Sequence, residues 1–277
     1  MIPDVDWPLR LAAALLASGL LVLFVVRAIR KDRREYARFR RYRSTVRRQA
    51  MLRRWLVESL ALFGGTAALV LVVVQPVVAP LLAETQALPA VAWLRDALAG
   101  GLGAGLLLGA VVGGTLLTVI GVRSARAEGG VIMVGDIAAL LPRNRPELGW
   151  GAALSVNAGI VEEALFRLAL PALLVVVTGE PVSAFVLAAL VFGALHAYQG
   201  WLGVVATTVV GLLFTTLYVV SGSILLAMLV HIVFDLRTLV VIPMAVYRVH
   251  TVPGSVRFPR PLALAAPAAE APEPSRE

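Results

Sequence analysis

Glu162, Glu163 and Arg167 stand in a stretch that is otherwise apolar from Leu148 to Val177. A charge at the centre of a bilayer costs at least ~2.5 kcal/mol on insertion scales. Three in one segment therefore require a reason. His196 sits in the next apolar segment, and His231 and Asp235 in a later one. A lone intramembrane histidine is often only a hydrogen-bonded helix contact. Six ionisable groups in three neighbouring segments are too costly for that reading. Carboxylates and imidazoles are the groups that move protons. In a dry site they can draw a proton from water and make it a nucleophile. The expectation is that these side chains meet deep in the membrane as one polar site.

Spacing divides the labour among them. Glu163 and Arg167 are four residues apart and share a helix face, so they can pair. Glu162 points about 100° away on an ideal helix and is left available. Phe192 and His196 are also four apart, as are His231 and Asp235. An acid one turn from a histidine can fix its tautomer and orientation. Asn157, Thr207 and Thr208 read as helix-bridging groups. Glu58, near a segment end, reads as water-accessible, and Arg237 as snorkelling or paired with an acid.

The segments that must carry these groups are read from the composition. The chain has 277 residues, of which 59% are hydrophobic, and a mean hydropathy of +0.86. Apolar runs approach the ~20 residues that a spanning helix needs. The short alternating segments of a membrane barrel are absent. The predicted fold is an all-α polytopic membrane bundle of about seven transmembrane helices with one or two interfacial helices. The spans run roughly Leu9 to Val26, Trp55 to Val78, Ala99 to Val122, Leu148 to Val177 (interrupted by Pro171), Val182 to Tyr198, Trp201 to Val220 and Ile224 to Tyr247. An amphipathic interfacial helix is expected over 130–147, ending before Pro142, and a weaker one within 76–98. The glycines between Gly100 and Gly114 are expected to let helices pack closely. The tail from Pro259 is expected to be disordered.

Charge orients the bundle. The formal net charge is +8, and Arg27 to Arg54 holds much of it. Arg123, Arg126, Arg143, Arg145, Arg248, Arg257 and Arg260 fall in the loops on the same side. The positive-inside rule then places the N-terminus outside and the C-terminus in the cytoplasm. Acidic residues precede the first apolar run and arginines follow it, so it reads as a retained helix, not a cleaved signal peptide. The basic segment fits anionic lipid headgroups. It has neither a glycine-rich loop nor zinc-ligand spacing, and nucleic acid is not an expected partner. There is no cysteine, which excludes disulfides, thiol nucleophiles and thiolate metal sites.

Taken in order, Glu-Glu-x-x-x-Arg at 162–167, Phe-x-x-x-His at 192–196 and His-x-x-x-Asp at 231–235 resemble the motifs of the CPBP family. That family comprises CAAX prenyl proteases of the Ras-converting type and bacteriocin-processing, Abi-like relatives. The similarity covers roughly residues 148–246. It implies an anchoring region over 1–147, a catalytic helical core over 148–246 and a tail over 247–277. The implied activity is intramembrane hydrolysis of a peptide bond. Glu162 and His196 would activate the water, and His231 and Asp235 would serve the oxyanion. Glu163, Arg167 and Phe192 would be structural or substrate-positioning. Family members with asparagine in place of Asp235 have a donor that an ionised aspartate lacks. Asp235 is therefore expected to orient His231, with the oxyanion left to the imidazole.

No cofactor is expected. The alternative is a divalent metal such as zinc held by Glu162, His196, His231 and Asp235, although His-Glu-x-x-His is absent. Expected partners are a peptide or membrane-protein substrate and membrane lipids, and the expected location is a bacterial plasma membrane. An ion- or proton-coupled transporter and a non-catalytic membrane scaffold are the competing functions. A transporter would favour broken helices and symmetric halves, and no internal repeat stands out.

Overall fold

Away from water, apolar segments must satisfy their own backbone hydrogen bonds, and only helices do so locally. The computed structural model describes residues 6–128 and 134–253, and its regular elements are all helical. In chain order they are α1 (Trp7–Arg27), α2 (Arg33–Phe39), α3 (Thr45–Ser59), α4 (Gly65–Gln86), α5 (Pro89–Ala99) and α6 (Gly101–Glu128). There follow α7 (Arg145–Glu163), α8 (Leu170–Thr178), α9 (Pro181–Leu195), α10 (Gly200–Ser221), α11 (Ile224–Leu236) and α12 (Ile242–Tyr247). Polar side chains mark several starts. Asn144 accepts from the Glu147 N–H, Glu180 from Val182 and Ser183, and Ser223 from Leu226. The Ser183 and Val182 N–H groups hold the exposed Glu180 carboxyl below its ordinary range.

Among the described residues, four helical stretches are long and apolar enough to cross a membrane: Trp7–Phe39, Thr45–Gln86, Ala197–Ser221 and Ile224–Tyr247. The protein is an integral membrane protein, but the expected seven spans are not all of this kind. The continuous helix through α7 and α8 carries Glu162, Glu163 and Arg167 in its middle. Helix α9 has 15 residues, short of a full crossing.

Helix α8 forms the centre. Every residue from Leu170 to Val176 is buried, packed among α1, α4 and α9. Helix α7 lies between α3 and α11, and α9 lies against α10. Lipid tails are as apolar as leucine, so close van der Waals fit must hold such helices together. Gly159 supplies it where α7 meets α11. A Cβ there would lie 2.5 Å from Ile232 Cγ1 and 2.9 Å from the Ile232 nitrogen. Gly193 does the same between α9 and α10, where a Cβ would fall 1.9 Å from Thr208 Oγ1. Of the glycines expected to do this in α6, Gly103 meets only the adjoining end of α5, where a Cβ would fall 1.7 Å from the Leu98 oxygen. At Gly105, Gly109, Gly113 and Gly114 a Cβ would meet nothing within 4 Å. Helix α6 packs mainly on α5 and α12, at the edge of the bundle.

The α7–α8 helix widens to π geometry over Ala164–Ala169, just before Pro171. A proline lacks an N–H and crowds the carbonyl four residues back, and a π turn absorbs that mismatch without ending the helix. The same device recurs over Arg237–Val241, ahead of Pro243. Pro171 thus shifts the helix register where a break was expected. Pro76 and Pro80 sit inside α4, which runs on to Gln86 where only a weak interfacial helix was expected.

At the end of the bundle that carries the arginines, the basic end, Arg48 and Glu147 form a fully buried pair. Arg48 Nε donates to both Glu147 oxygens at 3.1 and 3.0 Å. Arg48 Nη2 donates to the carbonyls of Ala139 and Leu141, and the guanidinium lies 4.1 Å from the Phe39 ring centroid. These bonds hold 139–147 against α3. The interfacial helix expected over 130–147 does not form. Residues 134–144 run irregularly, with one short turn at Ala138–Leu140. Its first residues, the acidic start at Asp4, and the tail with Arg257 and Arg260 lie outside the described residues.

Gly159→Ala should lower stability by about 1–3 kcal/mol, the usual cost of overpacking, read by thermal unfolding in detergent. Gly109→Ala, on the open face of α6, should be neutral or slightly stabilising, because alanine is the better helix former.

Candidate functional site

The site is assembled around Glu163, the last residue of α7 and fully buried. Arg167, one turn on within the π segment, is 1% exposed and places Nη1 3.1 Å from Glu163 Oε1. Its Nη2 donates to the Gly211 carbonyl of α10 at 3.2 Å. The guanidinium lies 4.7 Å from the Phe192 ring centroid and 5.6 Å from that of Phe214, giving the cation two aromatic faces in place of water.

His231 completes the cluster from α11. Its Nδ1 and Glu163 Oε1 are 2.7 Å apart. Its Nε2 lies 3.8 Å from Asp235 Oδ2, beyond hydrogen-bond reach. The close partner of His231 is therefore Glu163 from another helix, where spacing along the chain had pointed to Asp235. The contact at Gly159 draws α7 and α11 together one turn before Glu163. Phe214 covers the imidazole, ring centroids 4.8 Å apart.

His196 caps the C-terminal end of α9. Its Nδ1 and the Phe192 carbonyl oxygen are 2.8 Å apart. A carbonyl can only accept, so Nδ1 carries the proton and the neutral ring keeps a free lone pair on Nε2. The Phe192 ring stands between the two imidazoles, 4.9 Å from His196 and 6.3 Å from His231.

Glu162 differs from its neighbour. It is half-buried and makes no hydrogen bond to a described residue. His231, Asp235 and Tyr198 lie within its electrostatic reach. The structure thus brings Glu163, Arg167, Phe192 and His231 into direct contact. Glu162, Asp235 and His196 stand at the rim, half-buried. Among the described residues no group of three or more such side chains is arranged to hold a metal ion.

Sequence reading missed Gly211, Phe214 and Tyr198. Glycine and phenylalanine in an apolar helix give no local signal. Only the fold shows that a Cβ at Gly211 would lie 2.9 Å from the Phe192 ring. Tyr198 stands beside His196, ring centroids 5.9 Å apart. Other polar residues are structural. Asn157 bridges to Ser59, Thr207 and Thr208 bond their own helix, and Arg237 donates to Thr118. Glu58 accepts from Arg27, Lys31 and Arg54, tying the first two long helices together.

Residues 144–237 match the family described as type II CAAX prenyl endopeptidase Rce1-like. The matched segment is about a third of the chain, and it contains Glu162, Glu163, Arg167, His196, His231 and Asp235. No curated protein and no solved structure matches the chain.

Arg167→Met should cost about 3–5 kcal/mol, because it strips a buried carboxylate of its cation. Denaturation in detergent should show the loss, and added salt should change it little, since buried pairs are poorly screened.

Proposed function

We propose that the protein is an intramembrane endopeptidase in which Glu162 and His196 activate a water to attack a peptide carbonyl. The observation that carries this reading is the unequal treatment of two adjacent glutamates. Glu163 is committed to Arg167 and His231. Glu162, beside the same histidine, has no hydrogen-bond partner among the described residues. A partially desolvated carboxylate with free lone pairs suits a general base. His196 supports the same step, because its Phe192 bond leaves Nε2 able to accept a proton.

These roles define the reaction. The water oxygen adds to the carbonyl carbon as its proton passes to Glu162 or His196. The carbonyl oxygen becomes the oxyanion. Collapse breaks the C–N bond, and the held proton leaves with the amine. His231 serves the oxyanion. With Nδ1–H donating to Glu163, a proton on Nε2 can donate to the developing charge. Asp235, 3.8 Å from Nε2, when ionised favours the charged imidazole through space without bonding to it. Glu163, Arg167 and Phe192 position His231.

Substrates are peptides or membrane-protein segments that reach the site through the lipid or from its basic end. The protein sits in a plasma membrane of bacterial type, and the arginine asymmetry supports an N-terminus outside and a C-terminus in the cytoplasm. Residues 148–246 form the catalytic core, and the preceding helices anchor and brace it.

The test uses purified protein in lipid vesicles and a panel of membrane-anchored reporter peptides, with new termini mapped by mass spectrometry. Glu162→Gln and His196→Ala should each lower turnover by about 10²–10⁴-fold, the usual contribution of acid–base catalysis, with helicity and unfolding temperature preserved. Turnover by Glu162→Gln at the wild-type rate would overturn the proposal.

A further inference from the structure

His196 ends α9, and the chain then turns through Ala197–Gln199 into α10. This turn also sets where the imidazole stands, and it is not held by its own helices alone. The Gln199 N–H donates to the His196 carbonyl at 2.9 Å. The Gln199 carbonyl in turn accepts from the Asp136 N–H at 2.9 Å. Asp136 belongs to the irregular run after Gly135. Gly135 has φ +79, a conformation that side chains other than glycine disfavour. It also lies flat on the turn, where a Cβ would come 3.0 Å from Gly203 Cα and 3.2 Å from the Gln199 oxygen.

Asp136 is fixed from its other side by the basic arm. The Tyr36 hydroxyl donates to the Asp136 carbonyl, and Arg40 pairs with its carboxylate. Tyr36 is 4% exposed, and its ring lies 5.2 Å from the Tyr198 ring. Tyr198 accepts from Gln199 Nε2 at 3.1 Å and faces the His196 ring. Two routes therefore connect residue 136 to the imidazole. One runs through backbone bonds, from Asp136 to Gln199 to His196. The other runs through rings, from Tyr36 to Tyr198 to His196. Asp136 itself is exposed and its pair with Arg40 faces solvent, so the link rests chiefly on the backbone bond to Gln199 and on the buried Tyr36.

We propose that Asp136 is a positioning residue for His196, locked by Tyr36 and Arg40 so that the basic arm and the 135–141 run hold the imidazole in its working orientation. This rests on the reading of His196 as a base. No contact places Asp136, Tyr36 or Arg40 against the reacting groups; each acts through the turn. Misplacing a base by a fraction of an ångström slows chemistry more than binding, so the effect belongs in kcat.

The experiment compares the full chain in vesicles with Tyr36→Phe, Gly135→Val, Arg40→Asp and the swap Arg40→Asp with Asp136→Arg. Tyr36→Phe keeps the ring against Tyr198 and removes one hydrogen bond. It should lower kcat about threefold to tenfold at unchanged KM. Gly135→Val should lower kcat by about tenfold or more. Arg40→Asp should lower kcat, and the swap should restore it. A second readout needs no turnover: spectra of ¹³C-histidine-labelled protein, with His196 assigned through His196→Gln. The His196 signal should move in Tyr36→Phe and Gly135→Val, while His250 stays fixed. A His196 signal and a kcat both unchanged in Tyr36→Phe and Gly135→Val would overturn the inference. If wild type and Glu162→Gln are equally inactive on every reporter, the peptidase reading fails, and the His196 signal alone decides the positioning link.

Discussion

A carboxylate with no exposed surface sits at the junction of α7, α10 and α11, and the cluster is ordered around the need to compensate it. Glu163 has lost its water, and an uncompensated charge in such a place costs several kcal/mol. One oxygen, Oε1, takes both partners, Arg167 and His231. Arg167 must then be compensated in its turn. It uses the Gly211 carbonyl and the faces of Phe192 and Phe214. Those rings also flank the two imidazoles. One buried charge thereby fixes side chains from four helices.

Such a cluster requires helices closer than ordinary side chains permit. Gly159 and Gly193 provide that approach at the α7–α11 and α9–α10 contacts. The prolines act in the same region. Pro171 and Pro243 each come after a π turn that begins just beyond site residues, Glu163 in one helix and Asp235 in the other. The extra residue per turn rotates the remainder of each helix, and it places Arg167 within a widened segment. Helix breakers are tolerated at membrane depth when neighbours restore the lost bonds.

The basic end does more than orient the protein. Arg48 and Glu147 are wholly buried there, and Lys31, Arg27 and Arg54 converge on Glu58. Buried pairs of this kind are weak contributors to net stability, but their geometry is specific. Here the Arg48–Glu147 pair fixes where the run from Ala139 to Asn144 lies. Asp136, just before that run, bonds to the turn after His196. The arginine-rich arm and the polar site are thus mechanically continuous.

The sequence by itself determined the apolar helices, the concentration of arginine at one end and the six ionisable groups that had to share a site. Those come from local rules: a charge in an apolar run is anomalous wherever the run ends up, and four-residue spacing puts Glu163 and Arg167 on one face. Partner choice across helices was beyond it. Spacing favoured Asp235 for His231, yet Glu163, 68 residues away in the chain, makes the contact. The glycines that matter were equally hidden, since those of α6 and those of α7 and α9 look alike until a neighbour is placed against them. Residues 134–144 carry an amphipathic pattern, but the bonds from Arg48 and Gln199 hold their backbone out of a helix. In each case a local preference of about a kcal/mol met tertiary packing or a buried polar demand worth several, and the stronger of the two prevailed.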